Sequence, residues 1–221
     1  GIGSRLWPVS TPERPKQFMD LLGIGKTMIQ LTFNRFTPVC DPANFWVVTS
    51  EDYVRIVREQ LPLVPQSHIL AEPEPRNTAP CIAYACWKIA SVCPEANVVV
   101  TPADALIMNE QRFSNIVRKA LNFTAEGNRI VTVGIEPTRP ETGYGYIFAE
   151  ENRPEEIVKV REFKEKPDLA NRQGISCRRH LFLERRHIHL ECRDHRVSAS
   201  LPCASDRRGH GQDRRVLRDL R

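Results

Sequence analysis

Between residues 26 and 134, short apolar runs alternate with longer segments of helical periodicity, and this alternation narrows the possible folds most sharply. The stretch 26–36 reads as a helix, with Met28, Ile29, Phe33 and Phe36 at helical spacing. Phe45-Trp46-Val47-Val48-Thr49 reads as a short buried strand, and 51–61 as a second helix with Val54, Val57 and Leu61 on one face. Strands follow near 68–71, 97–101 and 129–134, separated by helices within 79–92 and 110–124. Residues 144–149 and 157–163 read as extended. Regular alternation of this kind predicts βαβ units: an α/β domain with a mostly parallel, helix-covered sheet.

In such a sheet, ligands sit beyond the carboxyl ends of the strands. Three polar, proline-containing segments fall there, at 72–80, 101–104 and 136–145. Their placement alone predicts a small-molecule site.

Charge divides the chain in two. Residues 1–170 hold all seven Lys and balance 19 Lys+Arg against 21 Asp+Glu, a net of 19 − 21 = −2. Residues 171–221 hold 13 Arg, no Lys, five of the six His and six acidic residues, a net of 13 − 6 = +7. The formal +5 therefore comes from the tail, and is no nucleic-acid footprint for the whole chain. The seven Cys include no Cys-x-x-Cys pair, and Cys81, Cys86 and Cys93 fall on or near one apolar helical stretch. Buried, reduced structural thiols are expected, in a reducing cytoplasm, with no membrane partner.

Several segments could carry chemistry. Gly1-Ile2-Gly3-Ser4-Arg5-Leu6-Trp7-Pro8 joins glycines, which allow close backbone approach to phosphate, with a hydroxyl and an Arg; Lys16 follows. Alone, this pattern fits an ordinary tight loop equally well. Gly25-Lys26-Thr27 mimics the end of a Walker A loop, but Asp20 stands where that loop needs its first Gly, so a plain helix start is expected. Asp104 in Thr101-Pro102-Ala103-Asp104 follows an apolar strand, where a carboxylate could hold Mg²⁺ together with substrate phosphates or serve as a helix cap or turn residue. Thr142-Gly143-Tyr144-Gly145-Tyr146 could offer backbone groups to a hydroxylated ligand, or be a turn into a strand. Phe163-Lys164-Glu165-Lys166-Pro167-Asp168 sets an acceptor beside a cation, or is a solvated charge run.

Taken in order, these segments, with Pro15-Lys16-Gln17-Phe18, Glu72-Pro73-Glu74-Pro75-Arg76-Asn77-Thr78-Ala79-Pro80 and Gly134-Ile135-Glu136-Pro137-Thr138, resemble the bacterial mannose-1-phosphate guanylyltransferases over residues 1–170. The Arg-Asn-Thr-Ala-Pro segment points to that branch among sugar nucleotidyltransferases. The resemblance implies a Rossmann-like nucleotidyltransferase fold with helices on both faces, here incomplete at both ends. It implies Mg²⁺-dependent transfer in which mannose 1-phosphate and GTP give GDP-mannose and pyrophosphate, with another sugar-1-phosphate nucleotidyltransferase as the alternative. By motif, Gly1, Gly3, Ser4, Arg5 and Lys16 would cradle the GTP phosphates, and Arg76, Asn77 and Thr78 would lie at base and ribose. Asp104 would be the Mg²⁺ ligand. Gly143, Tyr144 and Gly145 would line the mannose, with Glu165 on its hydroxyls and Lys166 on its phosphate. Arg5, Lys16 and Lys166 are the expected catalytic cations. No nucleic-acid partner is implied, and the complete protein could be a homo-oligomer. Ala105 stands where the family usually has a His after the metal-binding Asp, and the apolar strand and Gly expected before Gly1 are absent.

The family's Trp-Asn-Ala-Gly-Ile-Phe segment is missing as well. In its place stands Leu181-Phe182-Leu183-Glu184-Arg185-Arg186-His187-Ile188-His189-Leu190-Glu191-Cys192-Arg193. One permitted codon choice for this stretch, read one nucleotide later, gives Tyr-Phe-Trp-Asn-Ala-Gly-Ile-Phe-Ile-Trp-Asn-Ala, which restores it. We therefore expect residues 171–221 to be an out-of-frame translation, following one inserted or two deleted nucleotides near codons 171–175. Such a tail would be disordered or a poorly packed helix. The polypeptide as written would then be an inactive GTP-binding fragment. An Arg-rich nucleic-acid arm is disfavoured by the lack of interleaved aromatics, and a metal site by the lack of finger-like His/Cys spacing.

Overall fold

The computed structural model describes residues 8–74, 77–127, 129–137, 145–151, 153, 156–164, 181–184, 189–192 and 213–218. The chain divides into two compact units, Gly1–Lys88 with Ala103–Ile107 and Ile89–Pro102 with Met108–Arg221.

In the first unit a 3-10 turn at Lys16–Phe18 precedes helix α1 (Met28–Phe36), strand β1 (Val47–Ser50), helix α2 (Val54–Gln60), strand β2 (Ile69–Glu72) and the start of helix α3 (Thr78–Val92). The apolar positions read from periodicity are the ones that pack. Met28, Ile29, Phe33 and Phe36 of α1 are all buried. Phe18, Ile29, Phe33, Val57, Leu61, Val64 and Ile69 form one core, with Phe45, Val47, Tyr53 and Ala103 against it. Burying each large apolar side chain contributes roughly 1.5–3 kcal/mol. Tilted aromatic pairs, Phe18 with Tyr53 at 5.5 Å and Phe33 with Phe45 at 4.6 Å, add shape to this core. β1 and β2 run parallel, with Val47 opposite Ile69 and Ser50 opposite Glu72, as a βαβ unit through α2 requires.

The second unit holds β3 (Asn97–Val100), α4 (Glu110–Ala125), β4 (Arg129–Gly134), β5 (Gly145–Ala149), β6 (Ile157–Lys164), β7 (Leu181–Glu184), β8 (His189–Cys192) and β9 (Asp213–Arg218). Asn109 caps α4, its side chain accepting from the Arg112 N–H at 2.9 Å. Phe113, Ile116, Val117 and Ala120 form the buried stripe of α4. Asn97 ties β3 to the end of α4, accepting from the Thr124 hydroxyl at 3.0 Å and donating to the Leu121 carbonyl at 2.9 Å.

The elements match the expected α/β class, and β4 runs over the residues predicted, 129–134. Strand direction does not match. The larger sheet has the order β3-β8-β4-β9-β6-β5-β7, and among the described residues only β4 and β9 pair parallel in it. The β3–β8, β4–β8, β5–β6, β5–β7 and β6–β9 pairs are antiparallel. Periodicity reports that a segment is extended and which positions are apolar, but is silent on which edge it joins. The β5–β6 pair is antiparallel within residues 145–164, and the tail takes part in the other four antiparallel pairs. Sequence predicts it to be disordered or helical, yet three of its segments are extended, β8 lying between β3 and β4 and β9 between β4 and β6. Open strand edges carry unpaired backbone groups, which such segments satisfy.

The cysteines differ from expectation in burial. Cys40, Cys81, Cys86 and Cys93 are free thiols, of which Cys86 is buried, Cys40 and Cys81 are half-buried, and Cys93 is exposed.

Candidate functional site

Lys16 and Asp104 meet. Their ammonium and carboxylate form an ion pair within the first unit, with side chains 33% and 28% exposed. Each partner stands on a short irregular segment that is fastened from behind.

The Lys16 turn is held at both ends. Its N–H donates to the hydroxyl of the buried Ser10 at 3.0 Å, and Arg14 N–H closes the preceding turn on the Thr11 carbonyl at 3.1 Å. The Tyr53 hydroxyl donates to the Pro12 carbonyl at 2.7 Å. Gln60, the last residue of α2, donates to the Phe18 carbonyl at 3.1 Å and accepts from the Thr27 hydroxyl at 2.7 Å. Gln30 completes this knot, donating to the Gln60 carbonyl at 3.1 Å and accepting from the Thr27 N–H at 3.0 Å.

The Asp104 loop is held by α1. Thr32 donates its hydroxyl to the Ala103 carbonyl at 3.3 Å, and Arg35 donates Nη2 to the Ala105 carbonyl at 2.8 Å. Helical residues three apart share a face, so the two donors fall on either side of Asp104. Ser10, Thr32, Arg35 and Gln60 were not singled out from sequence. The one available signal was a Thr and an Arg at positions 32 and 35, on the same face as Met28 and among residues expected to be apolar.

Asn77 and Thr78 stand exposed between the carboxyl end of β2 and the body of α3. Asn77 has φ of 69°, the left-handed region that Asn tolerates better than most residues. One turn into α3, the Cys81 thiol is pushed up to about 11, first by burial and then by the charge of Glu72, which also accepts its hydrogen bond. Gly145 opens β5 in the second unit, opposite Glu184 in register. Gly1, Gly3, Ser4, Arg5, Arg76, Gly143, Tyr144, Glu165 and Lys166 lie outside the described residues.

The Walker-like segment at 25–27 is a helix start. Asp20 accepts from the N–H groups of Ile24 at 3.2 Å and Gly25 at 2.7 Å, occupying the amides that a phosphate loop would present. Gly23 and Gly25, with φ of 67° and 77°, make that turn possible.

A partly exposed ion pair contributes roughly 0–1 kcal/mol to stability, so Lys16 and Asp104 can exchange partners at low cost. The ammonium suits a phosphate oxygen. The carboxylate suits a hard divalent cation, and Mg²⁺ is commonly held by one or two carboxylates with phosphate oxygens completing its shell. Among the described residues no group of three or more His, Cys, Asp or Glu side chains could hold a metal alone. A single carboxylate beside an ammonium fits Mg²⁺ brought with a phosphate ligand.

A profile described as Nucleotidyl transferase matches residues 1–183. The xanthan biosynthesis protein XanB of Xanthomonas campestris pv. campestris is 43% identical over 176 residues, covering 79% of this chain and 37% of that protein. Mannose-1-phosphate guanylyltransferase of Salmonella muenchen is 41% identical over 178 residues, covering 76% of this chain and 36% of its own length. This chain thus spans little more than a third of such relatives. A crystal structure from Thermus thermophilus, described as mannose-1-phosphate geranyltransferase, superposes with a TM-score of 0.77 at 27% identity, covering 87% of this chain and 55% of that one. With an α/β fold, a phosphate-compatible cation beside a metal-compatible carboxylate, and a family match over most of its length, the chain belongs to the nucleotidyl transferase family.

Proposed function

We propose that the chain carries the nucleotide-binding part of an enzyme that makes GDP-mannose and pyrophosphate from GTP and mannose 1-phosphate. The Lys16–Asp104 pair carries this reading, with support from relatives of that name. In the reaction, an oxygen of mannose 1-phosphate forms a bond to the α-phosphorus of GTP, and the bond from that phosphorus to the β-phosphate oxygen breaks. The attacking phosphate is already ionised, so positioning and charge neutralisation are the main tasks. Lys16 neutralises triphosphate charge, joined by Arg5, while Gly1, Gly3 and Ser4 present backbone and hydroxyl groups. Arg76, Asn77 and Thr78 receive the base and ribose. Gly143, Tyr144 and Gly145 line the mannose, with Glu165 on its hydroxyls and Lys166 on its phosphate. Asp104 holds Mg²⁺, which when bound offsets the charge gathered on the phosphates. A cytoplasmic location fits these substrates. Competition among nucleotides tests the reading: GTP should displace a fluorescent GTP analogue at least about tenfold more tightly than UTP, the margin given by one or two base-specific hydrogen bonds. A preference for UTP would move the chain to another sugar nucleotidyltransferase.

We also propose that residues 171–221 arise from a shifted frame, and that the 221-residue chain releases no pyrophosphate from GTP and mannose 1-phosphate. The break in composition after residue 170, from 19 Lys+Arg against 21 Asp+Glu to 13 Arg with no Lys against six acidic residues, supports this reading. Sequencing the source DNA across codons 165–185 decides it. One nucleotide too many or two too few is expected; an intact frame would make the basic tail a genuine part of the protein.

A further inference from the structure

A charged residue buried on the apolar side of a helix needs a reason. Arg35 is 2% exposed on α1, flanked by the core residues Phe33 and Phe36. Desolvating a guanidinium is costly, and an apolar residue of similar volume would usually serve stability as well or better. What an apolar residue would not provide is the bond to the Ala105 carbonyl at 2.8 Å. Three residues earlier, the buried Thr32 reaches the Ala103 carbonyl at 3.3 Å. The two donors hold the carbonyls of the residues on both sides of Asp104. They do so from one face of one helix, and leave the carboxylate between them on Lys16. Their targets are backbone carbonyls, so the clamp is indifferent to the side chains at 103 and 105 and acts on the direction of the loop.

From this geometry we propose that Arg35, assisted by Thr32, is a positioning residue for the Asp104 carboxylate: it sets the loop so that Asp104 accepts the divalent cation carried by the nucleotide. Arg35 would act through the Ala105 carbonyl, not on metal or nucleotide directly. The proposal rests on the reading of Asp104 given above. Loss of a supporting hydrogen bond behind a metal ligand commonly lowers metal affinity about 10- to 100-fold.

The test uses the full 221-residue chain with Mn²⁺ as the probe, free and bound ion being separated by electron paramagnetic resonance in the presence of GTP. Arg35→Met keeps the volume of the side chain and removes its donors. It should lose about tenfold or more in Mn²⁺ affinity, with a fall in urea midpoint no larger than that of Val57→Ala. Thr32→Val, matched in shape, should lose about threefold, and Arg35→Lys, which keeps a donor, should recover part of the loss. GTP affinity without metal should change less than twofold in all three. Val57→Ala is the destabilised control: it removes core volume, lowers the urea midpoint, and should leave Mn²⁺ affinity intact. Asp104→Asn separates the two levels of the account. If it leaves Mn²⁺ binding unchanged, both the Asp104 reading and the positioning role fall. If it removes binding while Arg35→Met binds normally, only the positioning role falls. The role is equally overturned if Arg35→Met loses affinity only in proportion to lost stability, as a purely structural residue would.

Discussion

The Lys16 ammonium rests on the Asp104 carboxylate, joining a 3-10 turn near the start of the chain to the loop after β3. Both side chains are about a third exposed, which limits what the pair adds to folding. Lys16→Met should therefore change unfolding free energy by no more than about 1 kcal/mol in urea titration. A loss several times larger would mean that the pair is a structural strut.

Gln60 should matter more to stability than Lys16. Its side chain makes two half-buried hydrogen bonds, to the Phe18 carbonyl and from the Thr27 hydroxyl, that tie three elements together. Gln60→Ala leaves both partners unsatisfied and should cost about 1–3 kcal/mol in the same titration. It should also loosen the turn that carries Lys16, and so weaken GTP binding.

Asp20 should make the turn at 20–25 acid-sensitive. Its carboxyl is held below the ordinary aspartate value, chiefly by the Gly25 N–H. A depressed folded value stabilises above the unfolded pKa of about 3.9 and is lost as pH falls through the folded value. Asp20→Ala should lower the melting temperature at pH 7, and the difference from the unaltered chain should shrink as pH falls below about 4. A difference that stays constant with pH would contradict this.

The thiols should react in a fixed order. Only thiolate is nucleophilic, and a thiol near pKa 11 has on the order of one molecule in a thousand ionised at pH 8. The half-buried Cys81 should therefore alkylate slowly with iodoacetamide. Among Cys40, Cys81, Cys86 and Cys93, exposed Cys93 should be modified first, and buried Cys86 should be protected until unfolding. Mass spectrometry of peptides after timed quenching reads this directly.

How much of this was legible in the sequence differs by residue. The helix faces were, because Met28, Ile29, Phe33 and Phe36 recur at the spacing that buries one side of α1. Asp104 and Lys16 were singled out separately, Asp104 for its place after an apolar strand and Lys16 within a basic, glycine-rich opening. Nothing in the spacing of two residues so far apart says that they touch. The clamp by Thr32 and Arg35 was not legible either, since its acceptors are the backbone carbonyls of Ala103 and Ala105, and every residue carries a carbonyl. The pairing of β8 and β9 with β4 was hidden for a related reason: ladder bonds are backbone bonds, and apolar alternation does not name a partner.

The central claim is that Lys16 and Asp104 together receive a magnesium nucleotide. Calorimetric titration of GTP with Mg²⁺ into the 221-residue chain tests it most directly, alongside Lys16→Met and Asp104→Asn. The unaltered chain should bind GTP more tightly with Mg²⁺ than without. Asp104→Asn should abolish that difference, and Lys16→Met should weaken binding about tenfold or more under both conditions, as expected for a lost charge-assisted phosphate contact. Equal binding by all three proteins, or binding by none, would contradict the account.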